Sequence, residues 1–266
     1  MTLKLGSEEI SLGKEEVRPL VSVIMPIHNG ERFLAEAIQN IKSQNYRPLE
    51  IILIDDGSTD RTETIAGQFK EDIRYIYQQK KGSFAARNVG IKMAKGDVIA
   101  FLDVDDLWEE NTLSKQVKYL SGNSSVDIVQ GLIQEMTLDE SSKHDDLVFD
   151  ESSEPYQFIN VGSAVYRKEV FNSVGLFDET LKQSADTDWF YRAWRANVSK
   201  HVIKEVALLY RKHDSNVTLG YGGSVYFGLL RLSKKYVDLE KRNNSIGKID
   251  KTNLADFREF MGAPPP

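Results

Sequence analysis

The sequence predicts an α/β fold with a mostly parallel central sheet and helices on both of its faces. Over roughly its first hundred residues, short apolar runs alternate with segments whose apolar residues recur at helical spacing, which is typical of βα units. Three of the apolar runs also end directly in polar clusters. In open α/β sheets the carboxyl ends of the strands form the edge that binds ligands, so these clusters indicate a binding edge.

The first four strands and their helices follow from local patterns. Strands are predicted at residues 21–25, 51–54, 73–77 and 98–102. Helices are predicted between them, over residues 33–41, 60–69 and 84–93. Ser58, Thr59 and Asp60 are N-cap candidates for the second helix, and Gly96 marks the end of the third. Short βα units in series favour parallel neighbours.

After Leu120 the regular alternation of strand and helix patterns ends. Helices are predicted at 110–120, 167–174, 186–196 and 225–241, and strands at 127–133, 157–166 and 202–208. The polar stretch 139–154 is expected to be a surface loop, with a lid as the alternative. We expect an amino-terminal extension (1–18), one domain (19–242) with halves 19–120 and 121–242, and a loosely held tail (243–266).

Composition excludes several classes of protein. A net charge of −6 argues against nucleic-acid binding, and the absence of cysteine excludes disulfides, thiolate metal sites and a Cys nucleophile. No apolar stretch reaches the ~18 residues of a membrane span, and the amino terminus lacks a signal-peptide core. We therefore expect a cytoplasmic location, with peripheral association with the inner membrane left open.

The junction at Asp103 is the most informative feature of the chain. The buried-looking run Val98 to Leu102 leads directly into Asp103-Val104-Asp105-Asp106. Anions this close repel one another unless a cation joins them. Mg²⁺ and Mn²⁺ commonly use one or two carboxylates together with substrate phosphates, so the junction predicts a metal–diphosphate site. The alternative is a solvated acidic turn.

Two further polar clusters are expected at the same edge. They are Pro26-Ile27-His28-Asn29-Gly30 and Asp55-Asp56-Gly57-Ser58. A carboxylate can accept the N–H of a uracil ring or bind ribose hydroxyls, so Asp56 could read the nucleoside while Asp105 and Asp106 hold ribose and metal. No dinucleotide fingerprint follows the first strand, and neither a P-loop nor a G-x-S-x-G elbow occurs.

Four ordered blocks resemble the signature blocks of glycosyltransferase family 2. They begin at Val21, Glu50, Ala86 and Gly96, and read VSVIMPIHNG, EIILIDDGSTD, ARNVGI and GDVIAFLDVDD. The resemblance implies a GT-A fold, which is Rossmann-like, with a nucleotide-sugar half (19–120), a smaller acceptor-side half (121–242) and typically inverting chemistry. Weaker matches, Gly162 to Arg167 and Gly175 to Asp178, resemble the acceptor-side segment.

The resemblance also implies roles for individual residues. The nucleotide-sugar-binding set is Pro26, His28, Asn29, Asp56, Arg87, Asp103, Asp105 and Arg211. The metal set is Asp105, Asp106 and His213, with Mn²⁺ or Mg²⁺ as the ion. Separately from the resemblance, the glycine-rich segment 220–223 is expected to form a flap that closes over the donor, with an ordinary flexible turn before the last helix as the alternative.

The segment from Ser184 to Arg192 resembles the part of the family that carries the catalytic base. The family has a Glu-Asp pair at the start of a helix, whereas this chain has Ala185-Asp186, followed by Asp188. Inverting transfer needs a base that takes the acceptor proton. Asp186 is the first candidate and Asp188 the second. The alternative is that both carboxylates only stabilise the helix amino terminus.

The expected function is metal-dependent transfer of a sugar from a nucleoside-diphosphate sugar, expected to be a UDP-sugar, with inversion. The acceptor would be a hydroxyl of a glycan, a lipid-linked or another molecule, as in polysaccharide biosynthesis, and a homodimer is left open. Ala185 supports one alternative, a weakened sugar-nucleotide-binding subunit. A sugar nucleotidyltransferase would need a basic Gly-rich loop after the first strand, and His28-Asn29-Gly30-Glu31 fits that poorly.

Overall fold

A computed structural model describes residues 18–139, 147–181, 184–213 and 251–262. These residues form a nine-stranded sheet with the order β3-β2-β1-β4-β8-β6-β9-β5, and β7 pairs with β6. The strands are β1 (Val21–Ile27), β2 (Leu49–Asp56), β3 (Ile73–Gln78), β4 (Val98–Phe101), β5 (Leu107–Trp108), β6 (Ile128–Leu138), β7 (Phe149–Glu151), β8 (Ala164–Arg167) and β9 (Lys200–Lys212).

Helices connect and cover these strands. They are α1 (Leu34–Ser43), α2 (Thr62–Gly67), α3 (Ser83–Met93), α4 (Thr112–Gly122), α5 (Glu169–Val174), α6 (Ala185–Arg195) and α7 (Lys251–Met261), with a 3₁₀ turn at Val161–Ser163. None of the helices in the described ranges is long and apolar enough to cross a membrane.

The amino-terminal half of the sheet is parallel. β1 pairs in parallel with β2 and β4, and β2 pairs in parallel with β3. The carboxyl ends of β1, β2 and β4 therefore lie at one edge, as the sequence predicts. β8 then runs antiparallel between β4 and β6, while β6 and β9 are again parallel.

The two faces of the sheet carry separate hydrophobic cores. Val23 of β1 packs in one cluster with Leu34 of α1, whereas its neighbour Ile24 packs in the other with Ala86 of α3 and Phe190 of α6. This follows from the two-residue repeat of a strand, which sends successive side chains to opposite faces. The predicted fold class, with helices on both faces, is confirmed.

Several segments differ from the sequence-based expectation. The predicted strand 157–166 begins only at Ala164, after the 3₁₀ turn at Val161–Ser163. The supposed loop 139–154 contains β7, which pairs with the end of β6, and the supposed tail contains α7. α7 is held because Phe257 and Met261 are buried, with the Phe257 ring 5.2 Å from that of Tyr191 on α6. The predicted helix at 225–241 and the predicted flap at 220–223 lie outside the described residues.

Candidate functional site

The turn after β4 presents two carboxylates to solvent and buries a third. The Asp106 N–H donates to the Asp103 carbonyl at 3.1 Å and closes the turn. The side chains of Asp103 and Asp105 are 42% and 26% exposed, whereas Asp106 is 3% exposed. The turn lies at the carboxyl edge of the sheet, as the sequence predicts.

Charge is concentrated in this turn. Burial raises the pKa of Asp106 well above its usual value, and the charges of Asp105 and Asp103 raise it further. Desolvation by the surrounding protein also raises the pKa of the partly exposed Asp103, against the opposing effect of Arg87. Carboxylates in this condition gain from a bound cation, because the cation removes the repulsion between them.

Asp105 and His213 are the pair best placed to hold such a cation. Asp105 Oδ2 lies 3.2 Å from His213 Nε2. Within the described ranges, no group of three or more His, Asp or Glu side chains surrounds one metal position. Mg²⁺ and Mn²⁺ often take only one or two carboxylates from the protein and the rest from phosphates and water. The donor set therefore fits an ion shared with a substrate diphosphate.

Arg211 is buried behind the turn and organises it. Its N–H donates to Asp106 Oδ1 at 3.0 Å, its Nε donates to the Asp105 carbonyl, and its Nη1 donates to Glu36 Oε2 at 2.6 Å. The guanidinium lies between the rings of Phe33 and Phe149, at 5.1 and 5.0 Å. Because only 3% of Arg211 is exposed, its contacts support a role in shaping the turn. Contact with a diphosphate stays a prediction.

Pro26, His28 and Asn29 lie where β1 ends, and hydrogen bonds join this loop to the one after β2. The Asn29 N–H donates to Ser58 Oγ at 2.9 Å, and the Thr59 N–H donates back to Asn29 Oδ1 at 2.8 Å. Asn29 has φ +54°, a conformation that Asn tolerates better than most residues. The two loops thus form one wall of the candidate nucleoside pocket.

Asp56 is buried and holds the loop that precedes α3. It accepts from Gln78 Nε2 at 2.6 Å and from the N–H groups of Lys81 and Gly82 at 2.8 and 2.7 Å. A carboxylate has about four acceptor positions, so room for one more donor remains. The same loop brings Lys80 Nζ to 2.6 Å from His28 Nε2.

Arg87 binds the carboxylate turn from the side of α3. Its Nη2 donates to Asp103 Oδ1, and its guanidinium lies 5.1 Å from the centre of the Phe84 ring. Only 4% of Arg87 is exposed. In this arrangement the Arg87 guanidinium holds the Asp103 carboxylate in place. The predicted position of Arg87 near a diphosphate would then follow from its contact with Asp103.

The structure separates the two candidate bases on α6. Asp186 is partly exposed, accepts from the Thr187 N–H at 2.7 Å, and is close enough to Asp103 for its charge to raise the pKa of Asp103. Asp188 is fully buried and accepts from Arg192 Nε at 2.8 Å. Ala185, which stands where the resemblance expects Glu, is also fully buried.

Several residues of the site have no signal in the sequence. Glu36, Phe33 and Phe149 meet Arg211 only because α1, β7 and β9 converge on the turn. Asn88 and Arg192 likewise bind backbone far away in the chain. Only Asn88 could have been suspected, because it directly follows Arg87 in a motif.

Comparisons with known proteins bear on the family and the fold of the chain. The family described as Glycosyl transferase family 2 matches residues 22–175, more than half of the chain. An uncharacterized glycosyltransferase of Rickettsia typhi is 33% identical over 214 residues, covering 75% of this chain and 66% of its own length. Glycosyltransferase GlyG of Streptococcus pneumoniae is 42% identical over 106 residues, 37% of this chain and 35% of its own. The chain thus spans about two thirds or less of these relatives.

Solved structures show the same fold. TarS of S. aureus in complex with UDP-GlcNAc superposes with a TM-score of 0.66 at 19% identity, covering 90% of this chain and 71% of that one. The mannosyltransferase PcManGT of Pyrobaculum calidifontis, in complex with GDP-Man and Mn²⁺, gives 0.61 at 18% identity, covering 77% and 60%. At this identity the likeness concerns the fold.

Proposed function

The chain belongs to glycosyltransferase family 2, and from this premise we propose that it moves a sugar from a UDP-sugar to an acceptor hydroxyl with inversion. One observation carries the proposal. The carboxylate turn at Asp103 to Asp106 follows β4 at the carboxyl edge of the sheet, and the partly exposed Asp186 at the start of α6 is close enough for its charge to raise the pKa of Asp103. This arrangement supports a donor diphosphate at the turn and an acceptor hydroxyl at Asp186.

The proposed reaction is a direct displacement. Asp186 takes the proton of the acceptor hydroxyl as the hydroxyl oxygen bonds to the anomeric carbon. The bond from that carbon to the diphosphate breaks on the opposite face, and the diphosphate leaves with the electron pair. A divalent cation at Asp105 and His213 would stabilise the charge on that leaving group. Asp106 and Arg211 keep Asp105 in place for this role.

The preference for uracil or thymine over guanine rests on Asp56, and the choice of uridine between these two follows the TarS complex. The remaining acceptor position of Asp56 suits a base with a single N–H between two carbonyls, as in uracil or thymine. Guanine offers two adjacent donors to a carboxylate and would need a second position. The UDP-GlcNAc complex of TarS is consistent with a uridine donor, whereas the Mn²⁺ complex of PcManGT supports only the metal.

A thermal-shift panel tests the proposal. UDP-, GDP- and dTDP-sugars are added with and without Mn²⁺, and a ligand at about a hundred times its Kd should stabilise the fold by roughly 2.7 kcal/mol. We expect the largest rise in Tm with the UDP-sugar and Mn²⁺ together. Asp56→Asn serves as the control for base recognition. Equal shifts for all three nucleotides, or none, would contradict the donor assignment.

Ala185 favours a second candidate, a nucleotide-sugar-binding subunit with weak activity. Release of UDP from the donor, measured with and without candidate acceptors, separates the two functions. Binding without any release of UDP would favour the subunit. We also propose a cytoplasmic site of action, a glycan or lipid-linked acceptor and a homodimer.

A further inference from the structure

We propose that Asn88 is a positioning residue that sets the distance between the metal-binding turn and the catalytic base. The inference rests on the proposed function and concerns a residue that contacts neither substrate nor metal. Asn88 lies on α3 and is 1% exposed. Its neighbour on the same helix, Arg87, binds Asp103.

The Asn88 carboxamide forms a closed pair with the backbone of Phe177. Its Oδ1 accepts from the Phe177 N–H at 3.0 Å, and its Nδ2 donates to the Phe177 carbonyl at 2.9 Å. The same Nδ2 donates to Glu179 Oε1 at 2.8 Å. Donors and acceptor are thus all used on one short segment, and no other residue type offers both groups at this length.

The segment that Asn88 holds is also held from α6. Trp189 Nε1 donates to the Gly175 carbonyl at 2.8 Å. Arg192 donates to the carbonyls of Val174 and Leu176 at 2.6 and 2.8 Å, and its Nε is fixed by Asp188. The segment Gly175–Glu179 therefore connects α3 to α6, and we name it the latch.

The latch connects the two halves of the reaction centre. On α3, Arg87 fixes Asp103 of the donor side, and on α6 Asp186 is the proposed base. Phe177 also anchors the latch in the core, with its ring 5.9 Å from Phe101 and 5.8 Å from Trp189. Without Asn88, Trp189 and Arg192 of α6 would still hold the latch, but α6 and the latch would lose their fixed position relative to α3.

Asn88→Ser and Glu179→Ala test the role, with Ser173→Ala as a matched control. Ser173 lies just before the latch and bonds only to the Val170 carbonyl of its own helix among the contacts described. We expect Asn88→Ser to keep the Kd for UDP and Mn²⁺ within about twofold while kcat falls by about 10- to 100-fold, since small misplacements of reacting groups cost that much. Glu179→Ala should show a smaller loss of kcat, and Ser173→Ala none.

Hydrogen exchange gives a readout that does not depend on activity. Amides of residues 176–181 should exchange faster in Asn88→Ser, while those of β1 and β4 should not change. Unchanged kcat in a folded Asn88→Ser protein, or parallel losses of UDP affinity and kcat, would overturn the inference. If the wild-type protein transfers no sugar, the proposed function fails. To reject the role of Asn88 in holding the latch, hydrogen exchange in the latch would still have to be unchanged in Asn88→Ser.

Discussion

The separation of Asp186 and Asp188 on α6 leads to a paired prediction. The two carboxylates are two residues apart, and the same change, Asp to Asn, can be made at each. We expect Asp186→Asn to lower turnover strongly with little effect on stability. Asp188→Asn should do the reverse.

The magnitudes follow from burial. Asp188 is 0% exposed and holds Arg192, whose side chain is 26% exposed. Removing one partner of a buried ion pair costs about 3–5 kcal/mol, and we expect the lower end because Arg192 keeps two carbonyl partners. At ~2–4 °C per kcal/mol, a loss of about 3 kcal/mol lowers Tm by roughly 6–12 °C. Asp186 is partly exposed at the helix start, so its replacement should cost only about 0.3–1 kcal/mol.

For turnover the order is reversed, and Asp186→Asn should lose more activity than Asp188→Asn. Loss of a general base lowers kcat by about 10²–10⁴-fold, with donor binding nearly intact, and this is the expected result for Asp186→Asn. Folded Asp188→Asn should retain kcat within about tenfold at a temperature below its Tm. The assays are UDP release for kcat, calorimetry for UDP binding and thermal unfolding for Tm. If Asp188→Asn lost turnover at unchanged Tm while Asp186→Asn stayed active, the assignment of the base would be wrong.

Three further predictions concern titrating groups. Because the pKa of Asp106 is raised, its charge destabilises the metal-free protein near neutral pH. Asp106→Asn should therefore raise the Tm measured without metal and lose the Mn²⁺-dependent part of UDP binding. Calorimetry that shows an unchanged Mn²⁺ dependence would contradict this prediction. Protonation of Asp103 and Asp106 removes negative charge beside the proposed cation at Asp105 and His213, so the Kd for Mn²⁺ should rise as pH falls. A Kd that does not change with pH would count against a cation at this turn. Burial lowers the pKa of Lys200 from 10.5 to about 8, so between pH 8 and pH 10.5 the unfolded chain binds more protons than the folded one. The free energy of unfolding should therefore rise with pH by about 2–3 kcal/mol over this range. Denaturant titrations should show that Lys200→Met loses this rise.

Much of the carboxyl edge of the sheet could be predicted from sequence because its signals are local. The apolar run Val98 to Leu102 identifies a buried strand, and the acidic residues after it must then lie at the carboxyl edge of a parallel sheet. The polar ends of β1 and β2 follow by the same reasoning. A strand buried on both faces leaves little freedom in where its end can lie, so the positions of Asp56 and Asp103 are fixed once the strands are recognised.

The exposure of the two α6 carboxylates and the formation of α7 depended on contacts that no local pattern records. The sequence ranks Asp186 before Asp188 as the candidate base, but only the packing of α6 leaves Asp186 partly exposed and buries Asp188 against Arg192. The helix at Lys251–Met261 exists because Phe257 finds an apolar partner surface on α6.

By itself, the sequence determined the α/β class, the family and the edge at which the carboxylates gather, because hydrophobic periodicity and short motifs are local properties. Tertiary structure alone decided which carboxylate of α6 stays partly exposed, that Arg211 is buried and donates to the carboxylate turn, and that Asn88 joins α3 to the latch. The physical reason is that exposure, pKa and hydrogen-bond partners are set by residues far apart in the chain, which meet only when the sheet and its helices pack.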